Sequence, residues 1–437
     1  MSVLLPHTPL HRTTQVDAVG WLTLYIVLLL FIPSRLIVGP LGSAGAPSMI
    51  FGLCSLLLWG FLFLTALRRV DLGPQPIRIA LGFLLFCVGV SYVLAMSRPM
   101  SPDEVSPADV ALIALASWTG TLLLTHDGIH ERSRLDTLIW RFAVCGGLIA
   151  ALGLLQLATR QLWVDQLSIP GLSSAPPYGL TTRGGYPRPA GTSIHPIEYG
   201  VVLTMMLPLV LHVGFHHTHR RFLIRWLPAA AVCAIIPLTS SRSAYLGALI
   251  AVAICMVGWT AARRLRVMMF GLAGVLAGFL IAPRFVDSIV GLFAGADEDP
   301  SIASRTDSFS LAFEFIAQNP FFGRGLGTFL PKYRIFDNQY LLLLVTVGVV
   351  GTLAFLAVGV TAVIATLRLR RRLEDDRTKD LTVALAASIC AGFTCLFMFD
   401  AFAFPMSMGT LFFVLGLAGA LRRIQQTDAI PTFDRGA

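Results

Sequence analysis

The chain has 437 residues, of which 55% are hydrophobic and only 13% are charged, and its mean hydropathy is +0.75. This composition excludes a soluble multi-domain protein and a disordered chain. The net charge of +9 comes mainly from arginines that bracket apolar runs. The charge therefore indicates a membrane protein that follows the positive-inside rule, and no nucleic-acid partner is predicted.

Apolar runs that approach the roughly 20 residues needed to cross a bilayer recur along the chain. We expect an all-α polytopic membrane protein with about twelve transmembrane helices, forming a single integral membrane domain over residues 1–437. The first run has no cleavage-site pattern, so we expect a span and not a signal peptide. The predicted spans are 19–38, 47–67, 77–97, 107–125, 138–158, 196–215, 223–239, 243–261, 267–283, 339–367, 381–400 and 405–421.

An even number of spans puts both termini on one side of the membrane. The basic segments HRRFLIR, ARRLR and RLRRR all fall on that side, with the larger share of the 33 Lys and Arg residues. By the positive-inside rule, we expect both termini to be cytoplasmic. The predicted location is the bacterial cytoplasmic (inner) membrane. The cysteines all lie in apolar runs, so neither a disulfide framework nor a zinc site is expected.

This topology leaves two long extracytoplasmic loops, residues 159–195 and residues 284–338, and long loops are where function concentrates. In the second loop, Ser304 to Asp307 fit a helix-start pattern. Apolar residues at helical spacing follow, from Phe309 to Ile316, and Asn319-Pro320 would end the helix. The pattern predicts a short amphipathic helix on the membrane surface, inside a catalytic loop.

Three arginines are predicted near the outer face: Arg188 before span six, Arg242 in the turn between spans seven and eight, and Arg305 on the surface helix. Each guanidinium could donate paired hydrogen bonds to a phosphate. The alternative for each is anchoring to lipid headgroups. Arg242 lies in a turn of only a few residues, where most chains use neutral residues, so we favour a function for it.

His195 is the one histidine predicted on the outer side. It could act as a base or contact a ligand, and it could equally cap the helix that starts after it. On the inner side, HVGFHHTH has i,i+4 spacings that could hold a metal, but a solvated basic loop is the preferred interpretation and no metal is predicted. The glycines of GRGLG, residues 323–327, predict either a turn with positive φ or close backbone approach to a ligand.

Asp337 is the general-base candidate, because it lies where an acceptor arriving from water could meet a donor held in lipid. Capping of span ten by the same aspartate is the alternative, and the two roles are compatible. Nearby cations are expected to keep it ionised. The residues predicted to bind substrate around it are Arg324, Lys332, Arg334, Asn338 and Tyr340.

Four segments in this order resemble the O-antigen ligase and O-antigen polymerase (Wzy-type) superfamily. They are RPAGTSIHPIEYG (188–200), SSRSAYLG (240–247), the block from Arg305 through NPFFGRGLGTF (305–329) and DNQYLLLLVTVGVVG (337–351). The resemblance covers roughly residues 188–351. It implies a membrane glycosyltransferase without metal or cofactor. Such enzymes move glycan from a polyprenyl-diphosphate carrier to a glycan, lipid or protein acceptor at the outer face of the membrane.

The resemblance also implies roles for individual residues. Arg188 and Arg242, with Arg305 as a further candidate, would hold the donor diphosphate, and residue 337 or its neighbours would serve the acceptor. Ligases of the family typically carry His before the Asn of the pattern H-N-x9-G-x-x-G, where this chain has Asp337. The departure favours a polymerase, with ligase-type transfer of finished glycan as the alternative.

Two rival functions of other classes stay open. A transporter or flippase of lipid-linked glycans should place charged residues around a central cavity, whereas Arg35, Arg141, Glu198 and Asp400 all lie near predicted span ends. A scaffolding subunit of an envelope assembly would tolerate loss of the Arg242 side chain without a change in glycan.

Overall fold

A computed structural model describes residues 17–65, 73–174, 179, 181–183, 185–281 and 300–428. The second predicted loop, 284–338, is therefore described only from Pro300 onward, and the side chains of residues 300–307 lie outside the description. The end of predicted span nine also lies outside the described residues.

Helices dominate the described residues, because a chain in lipid must satisfy its backbone hydrogen bonds within each segment. Numbered in chain order, the helices are α1 Ala18–Phe31, α2 Pro47–Thr65, α3 Pro76–Met96, α4 Pro102–Gly128, α5 Arg132–Thr159, α6 Pro196–His216, α7 Phe222–Leu238, α8 Arg242–Gly258, α9 Ala261–Ile281, α10 Pro300–Gln318, α11 Gln339–Thr346, α12 Gly348–Arg370, α13 Asp376–Cys395 and α14 Pro405–Asp428. Short 3-10 segments cover Gly39–Gly45, Trp163–Gln166, Leu396–Met398 and Ala401–Ala403.

Each strand of the described residues is two residues long, and the strands form two antiparallel pairs between loop segments. Leu36–Ile37 (β1) pairs antiparallel with Ser173–Ser174 (β2), and Thr182–Arg183 (β3) pairs antiparallel with Tyr186–Pro187 (β4). The first pair ties the end of α1 to the loop between α5 and α6.

Each predicted span overlaps at least one helix of the described residues, which confirms the all-α polytopic fold. Among the described residues, eight helices are long and apolar enough to cross a membrane: α2, α3, α4, α5, α6, α12, α13 and α14. Helices α1, α7 and α8 are apolar but shorter. Helices α6 and α14 form the centre of the bundle. Their apolar segments are almost entirely buried inside the protein.

Contacts between connections divide the molecule into two faces. The loop face carries the described residues of the connections 32–46, 97–101, 160–195, 239–241, 319–338 and 396–404. On this face, Arg35 pairs with Asp165 at 3.3 Å. On the terminal face, which carries the opposite helix ends, Arg78 pairs with Asp127 at 3.2 Å. Each pair joins segments that were predicted on the same side of the membrane, as an alternating path through the bilayer requires.

Three local predictions were wrong. Span one was expected over 19–38, but its helix α1 ends at Phe31, and Leu36–Ile37 form the strand β1. Span ten was expected as one helix over 339–367, but it is broken between α11 and α12, where Gly348 has a φ of 67°. The surface helix α10 begins at Pro300, so Ser304 lies inside it and not at its start. It ends at Gln318, before Asn319-Pro320, as predicted.

Candidate functional site

The break between α11 and α12 is filled by the backbone of residues 319–325, called here the strap. Arg324 N–H donates to the carbonyl of Val345 at 3.1 Å, and Gly325 N–H donates to that of Thr346 at 2.8 Å. In return, Val349 N–H donates to the carbonyl of Pro320 at 2.9 Å. The strap thus takes up backbone groups that a broken helix would otherwise leave unpaired.

Glycines make this contact possible. A Cβ on Gly323 would lie 2.4 Å from the carbonyl carbon of Thr346, and one on Gly348 would lie 2.3 Å from the carbonyl oxygen of Phe321. Gly323, Gly325 and Gly327 all have positive φ, of 65°, 112° and 78°. The predicted turn is confirmed, and the close backbone approach is to the chain's own helix break.

Two cations of the second loop, Arg324 and Lys332, are engaged with α4. The carboxylate of Glu104 accepts from Arg324 Nη2 at 2.8 Å and from the Tyr333 hydroxyl at 2.7 Å. Lys332 Nζ donates to Asp103 Oδ2 at 2.7 Å. These pairs fasten the loop to the start of α4, so neither Arg324 nor Lys332 is paired with Asp337.

Other predicted site residues also have structural contacts. Arg334 Nε donates to Ser308 Oγ at 3.1 Å. Tyr340 is buried, donates its hydroxyl to the carbonyl of Phe393 at 2.7 Å and packs on Phe397. Arg305 lies on α10, and its side chain is outside the described part of the chain. A role for these residues toward substrate stays a prediction.

Asn338 caps α11. Its Oδ1 accepts from the N–H groups of Tyr340 and Leu341, at 3.0 and 3.2 Å. The alternative in which Asp337 caps this helix is therefore wrong. Asp337 is half-buried and precedes α11, and its carboxylate does not cap the helix.

Asp400, to which the sequence assigned no role, lies in the segment that contacts the start of α11. Burial, and then the negative charge of Asp337, raise the pKa of Asp400 to about 6. A hydrogen bond from Phe402 N–H to Gln339 Oε1, at 2.9 Å, holds the two segments together. The signal in the sequence was a single carboxylate inside the apolar run FMFDAFAFP.

Arg188 joins the first long loop to the turn between α7 and α8. Its Nε donates to the carbonyl of Thr239 at 3.1 Å, and its side chain is buried. Among the described residues its Nη2 has no hydrogen-bond partner. Burial, and then the charge of Arg183, lower the pKa of Arg188 to about 10, so it remains a cation at neutral pH.

Arg242 follows Thr239 by three residues and is the first residue of α8. Ser240, with a φ of 49°, closes the predicted tight turn. The hydrogen bond from Arg188 to Thr239 therefore brings Arg188 to the turn that carries Arg242. These two arginines are separated by more than one span in the sequence.

His195 caps α6, as one of its alternatives predicted: its Nδ1 accepts from Ile197 N–H at 3.1 Å. Burial, and then the charge of Arg188, lower the pKa of His195 to about 4, so the ring is neutral at pH 7. Glu198 accepts from Ile194 N–H at 3.0 Å and from Met406 N–H at 2.8 Å. It therefore locks the start of α6 to the start of α14.

These contacts place the candidate groups on one face. The His195 ring lies 6.4 Å from that of Phe404, in the segment that carries Asp400. A small cavity of about 40 Å³ is lined by Arg188, His195 and Arg35, among others, which is room for about one water. A larger cavity, of about 640 Å³, lies between α2, α3 and α4 and is lined mainly by apolar side chains away from these groups.

The histidine run on the terminal face differs from the solvated loop that was predicted. His212 and His217 are buried. Together with His216, His212 places a ring nitrogen within 4.8 Å of an Asp380 oxygen, at metal-ligand spacing. Arg263 Nη1 donates to Asp380 at 2.7 Å. A guanidinium therefore already neutralises this carboxylate.

Comparison with known proteins found one family. A family model described as O-Antigen ligase matches residues 227–356. The matched region contains Arg242 and Asp337, while Arg188, His195 and Asp400 lie outside it. No curated protein matches the chain. The family match confirms the predicted resemblance and supports membrane glycan transfer of the O-antigen ligase or polymerase type.

Proposed function

We propose that this member of the O-antigen ligase and O-antigen polymerase superfamily transfers glycan from a polyprenyl-diphosphate donor to a sugar hydroxyl at its loop face. One observation carries the proposal most directly. The hydrogen bond from Arg188 to Thr239 brings two arginines from distant segments to one turn, on the face that also carries Asp337.

The arginines suit a diphosphate leaving group. Arg188 is buried and retains an unused Nη2, and Arg242 begins a helix, where the backbone dipole also favours negative charge. Guanidinium groups bind phosphate oxygens through paired donors and stabilise charge that develops on them. Arg305 would join them from α10. Arginine would thus neutralise the diphosphate.

Asp337 is the proposed acceptor base. The acceptor oxygen attacks the anomeric carbon of the donor sugar while its proton passes to the Asp337 carboxylate. The bond from that carbon to the diphosphate oxygen breaks, and its electron pair leaves with the diphosphate. Because Asn338 caps α11, the Asp337 carboxylate is available for this proton. Attack from the face opposite the leaving group inverts the anomeric centre.

We favour polymerisation over a single transfer, because Asp337 stands where ligases of the family carry His. Ligase-type transfer to a lipid or protein acceptor is the second candidate. A flippase is less well supported, because α6 and α14 at the bundle centre are packed over most of their length and Glu198 is bonded to backbone groups. The proposed location is the cytoplasmic membrane, with the loop face outward.

The test is the surface glycan of a cell that lacks this protein, complemented with wild type, Arg242→Ala or Arg242→Lys. We expect Arg242→Ala to reduce glycan product at least 10-fold, in the range of a lost charge-stabilising donor. Arg242→Lys should restore part of it, since Lys keeps the charge but not the planar fork. Arg160→Gln, an exposed arginine of the loop face, is the matched control.

The form of the product separates the candidates. Single repeat units on an otherwise normal anchor, in the cell without the protein, indicate a polymerase. Full-length glycan stranded on the polyprenyl carrier indicates a ligase. If the cell that lacks the protein has an unchanged glycan profile, glycan transfer is rejected. Immunoblots of the membrane fraction check that wild type and the variants are present at equal levels.

A further inference from the structure

Two histidines near the end of α6 lie on the same face of the helix. His212 and His216 are four residues apart, so their side chains project from neighbouring turns. Their rings stack, with centroids 5.1 Å apart. His212 is buried and His216 is half-buried. This i,i+4 spacing is the one by which helices present two histidines to a single metal ion.

The group that faces both rings is the Asp380 carboxylate of α13. Its Oδ2 lies 2.7 Å from Nδ1 of His212 and 3.5 Å from Nε2 of His216. One ligand atom from each of the three residues lies within 4.8 Å of the other two. Two ligands of a tetrahedral zinc ion are about 3.4 Å apart, because each is about 2.1 Å from the metal. Small adjustments of these side chains therefore suffice to enclose an ion.

The two oxygens of Asp380 have different partners. Oδ1 accepts from Arg263 Nη1 at 2.7 Å and from Trp259 Nε1 at 3.1 Å, whereas Oδ2 faces the imidazoles. Carboxylates that bind metals are themselves held by outer hydrogen bonds of this kind. Arg263 thus orients the carboxylate through one oxygen and leaves the other to the histidines.

Nε2 of His216 lies between two groups with opposite requirements. It is 3.5 Å from Asp380 Oδ2, which needs a donor, and 3.3 Å from Arg263 Nη2, which needs an acceptor. One nitrogen cannot serve both, and both distances exceed the usual hydrogen-bond range of about 2.7–3.2 Å. A cation between Nε2 and Oδ2 uses both lone pairs. Arg263 keeps its place without His216, because its guanidinium also lies over the Phe215 ring, 4.4 Å from the centroid.

We propose that His212, His216 and Asp380 bind one divalent transition-metal ion on the terminal face, with zinc as the best match. Two imidazole nitrogens and one carboxylate oxygen are a ligand set that zinc uses. Because His216 is half-buried, water from that face can take the fourth position. The ion ties the end of α6 to the start of α13.

This site is remote from the groups proposed for glycan transfer. Helix α6 has 21 residues, which is about 30 Å of helix, and His195 caps its other end. The ion therefore takes no part in the transfer reaction. The inference goes beyond the proposed function, and each can fail without the other.

Cobalt binding to the full-length protein in detergent tests the site, because Co²⁺ occupies zinc sites and its visible absorption reports the ligands. The protein is purified through a tag without histidine and stripped with a chelator. Wild type should bind one Co²⁺ with the absorption of nitrogen and oxygen ligands, and Zn²⁺ should displace it. His216→Ala should weaken binding at least about 10-fold, the lower limit for losing even an outer partner. His219→Ala, an exposed histidine of the same run, is the matched control and should bind as wild type does.

Two results would overturn the site. Wild type that binds Co²⁺ no better than His216→Ala would leave Arg263 as the cation of this cluster. Absorption typical of thiolate ligands would assign the ion to cysteines. The wild-type measurement decides the proposal even where a variant does not fold.

Thermal unfolding gives the second readout. Zn²⁺ should raise the unfolding temperature of wild type by about 2 °C or more, because it binds the folded state. The same addition should leave the unfolding temperature of His216→Ala unchanged. Equal stabilisation of the two proteins by Zn²⁺ would contradict the assignment of these ligands.

Discussion

Two capping side chains decide which polar groups of the loop face remain available for chemistry. Asn338 satisfies the start of α11, and this releases the neighbouring Asp337 carboxylate. His195 satisfies the start of α6 through Nδ1, and this leaves its Nε2 directed away from the helix. In both cases a backbone requirement fixes the orientation of a side chain beside a candidate catalytic group.

His195 should make stability depend on pH. Its folded-state pKa, about 4, lies below its ordinary value of 6.5, so the unfolded chain binds the proton first. The stability that the neutral ring contributes is therefore lost as pH falls through 6.5 toward 4. His195→Asn keeps a cap that does not titrate. Between pH 7.5 and pH 5, the unfolding temperature of wild type should fall by roughly 2–4 °C more than that of the variant.

The measurement is thermal unfolding of detergent-solubilised protein at a series of pH values. Parallel curves for wild type and His195→Asn would contradict the assignment. His217→Asn serves as a comparison on the opposite face, because burial lowers the pKa of His217 to about 3.

At the scale of elements, the strap explains why a Gly-rich loop and a broken helix occur together. A break inside a membrane helix leaves unpaired N–H and C=O groups, which are costly unless other protein groups bond them. Residues 319–325 supply those partners. The chain can then break between α11 and α12 without leaving these backbone groups unpaired.

The substitution Gly348→Ala should disrupt the contact between the strap and the break between α11 and α12. The new Cβ would meet the carbonyl oxygen of Phe321 at 2.3 Å, at a backbone φ of 67°, so strain adds to a steric clash. We expect a loss of roughly 3 kcal/mol in stability, seen as a lower unfolding temperature. Gly82→Ala, inside α3 with open space around it, is the matched control and should be neutral or slightly stabilising. Equal behaviour of the two variants would refute the strap as a stabilising element.

At the scale of the whole molecule, the two faces differ in what their charges do. On the loop face, ion pairs such as Arg324–Glu104 hold loops in place around the groups proposed for chemistry. On the terminal face, the Asp380 carboxylate bonds to His212 of α6, to Arg263 of α9 and to Trp259 in the connection between α8 and α9. That network joins α6, α9 and α13, and it gives the exposed helix α9 an anchor to the bundle.

The chain's two lysines offer a direct test of sidedness, since Lys332 lies on the loop face and Lys379 on the terminal face. Lys332→Cys should react with a membrane-impermeant maleimide applied from the extracytoplasmic side of intact spheroplasts. Lys379→Cys should react only after permeabilisation. Unsubstituted protein gives the background from the native cysteines. Labelling in the reverse order would invert the proposed topology.

By itself the sequence determined the polytopic helical class, the alternation of faces, the end of α10 at Asn319-Pro320 and the turn glycines of residues 323–327. These features follow from hydropathy, charge and backbone preference, which act over a few neighbouring residues. The family resemblance likewise depends on local motifs.

Only the tertiary structure decided the break at Gly348, the engagement of Arg324 and Lys332 with α4 and the contact of the start of α11 with the segment that carries Asp400. Each depends on a partner far away in the chain: Gly348 on Phe321, Arg324 on Glu104, and the start of α11 on the hydrogen bond between Gln339 and Phe402. No local pattern encodes such a partner, because it is chosen by how the helices pack. The candidate base was therefore visible in the sequence, while the segment that contacts the helix after it emerged only from the fold.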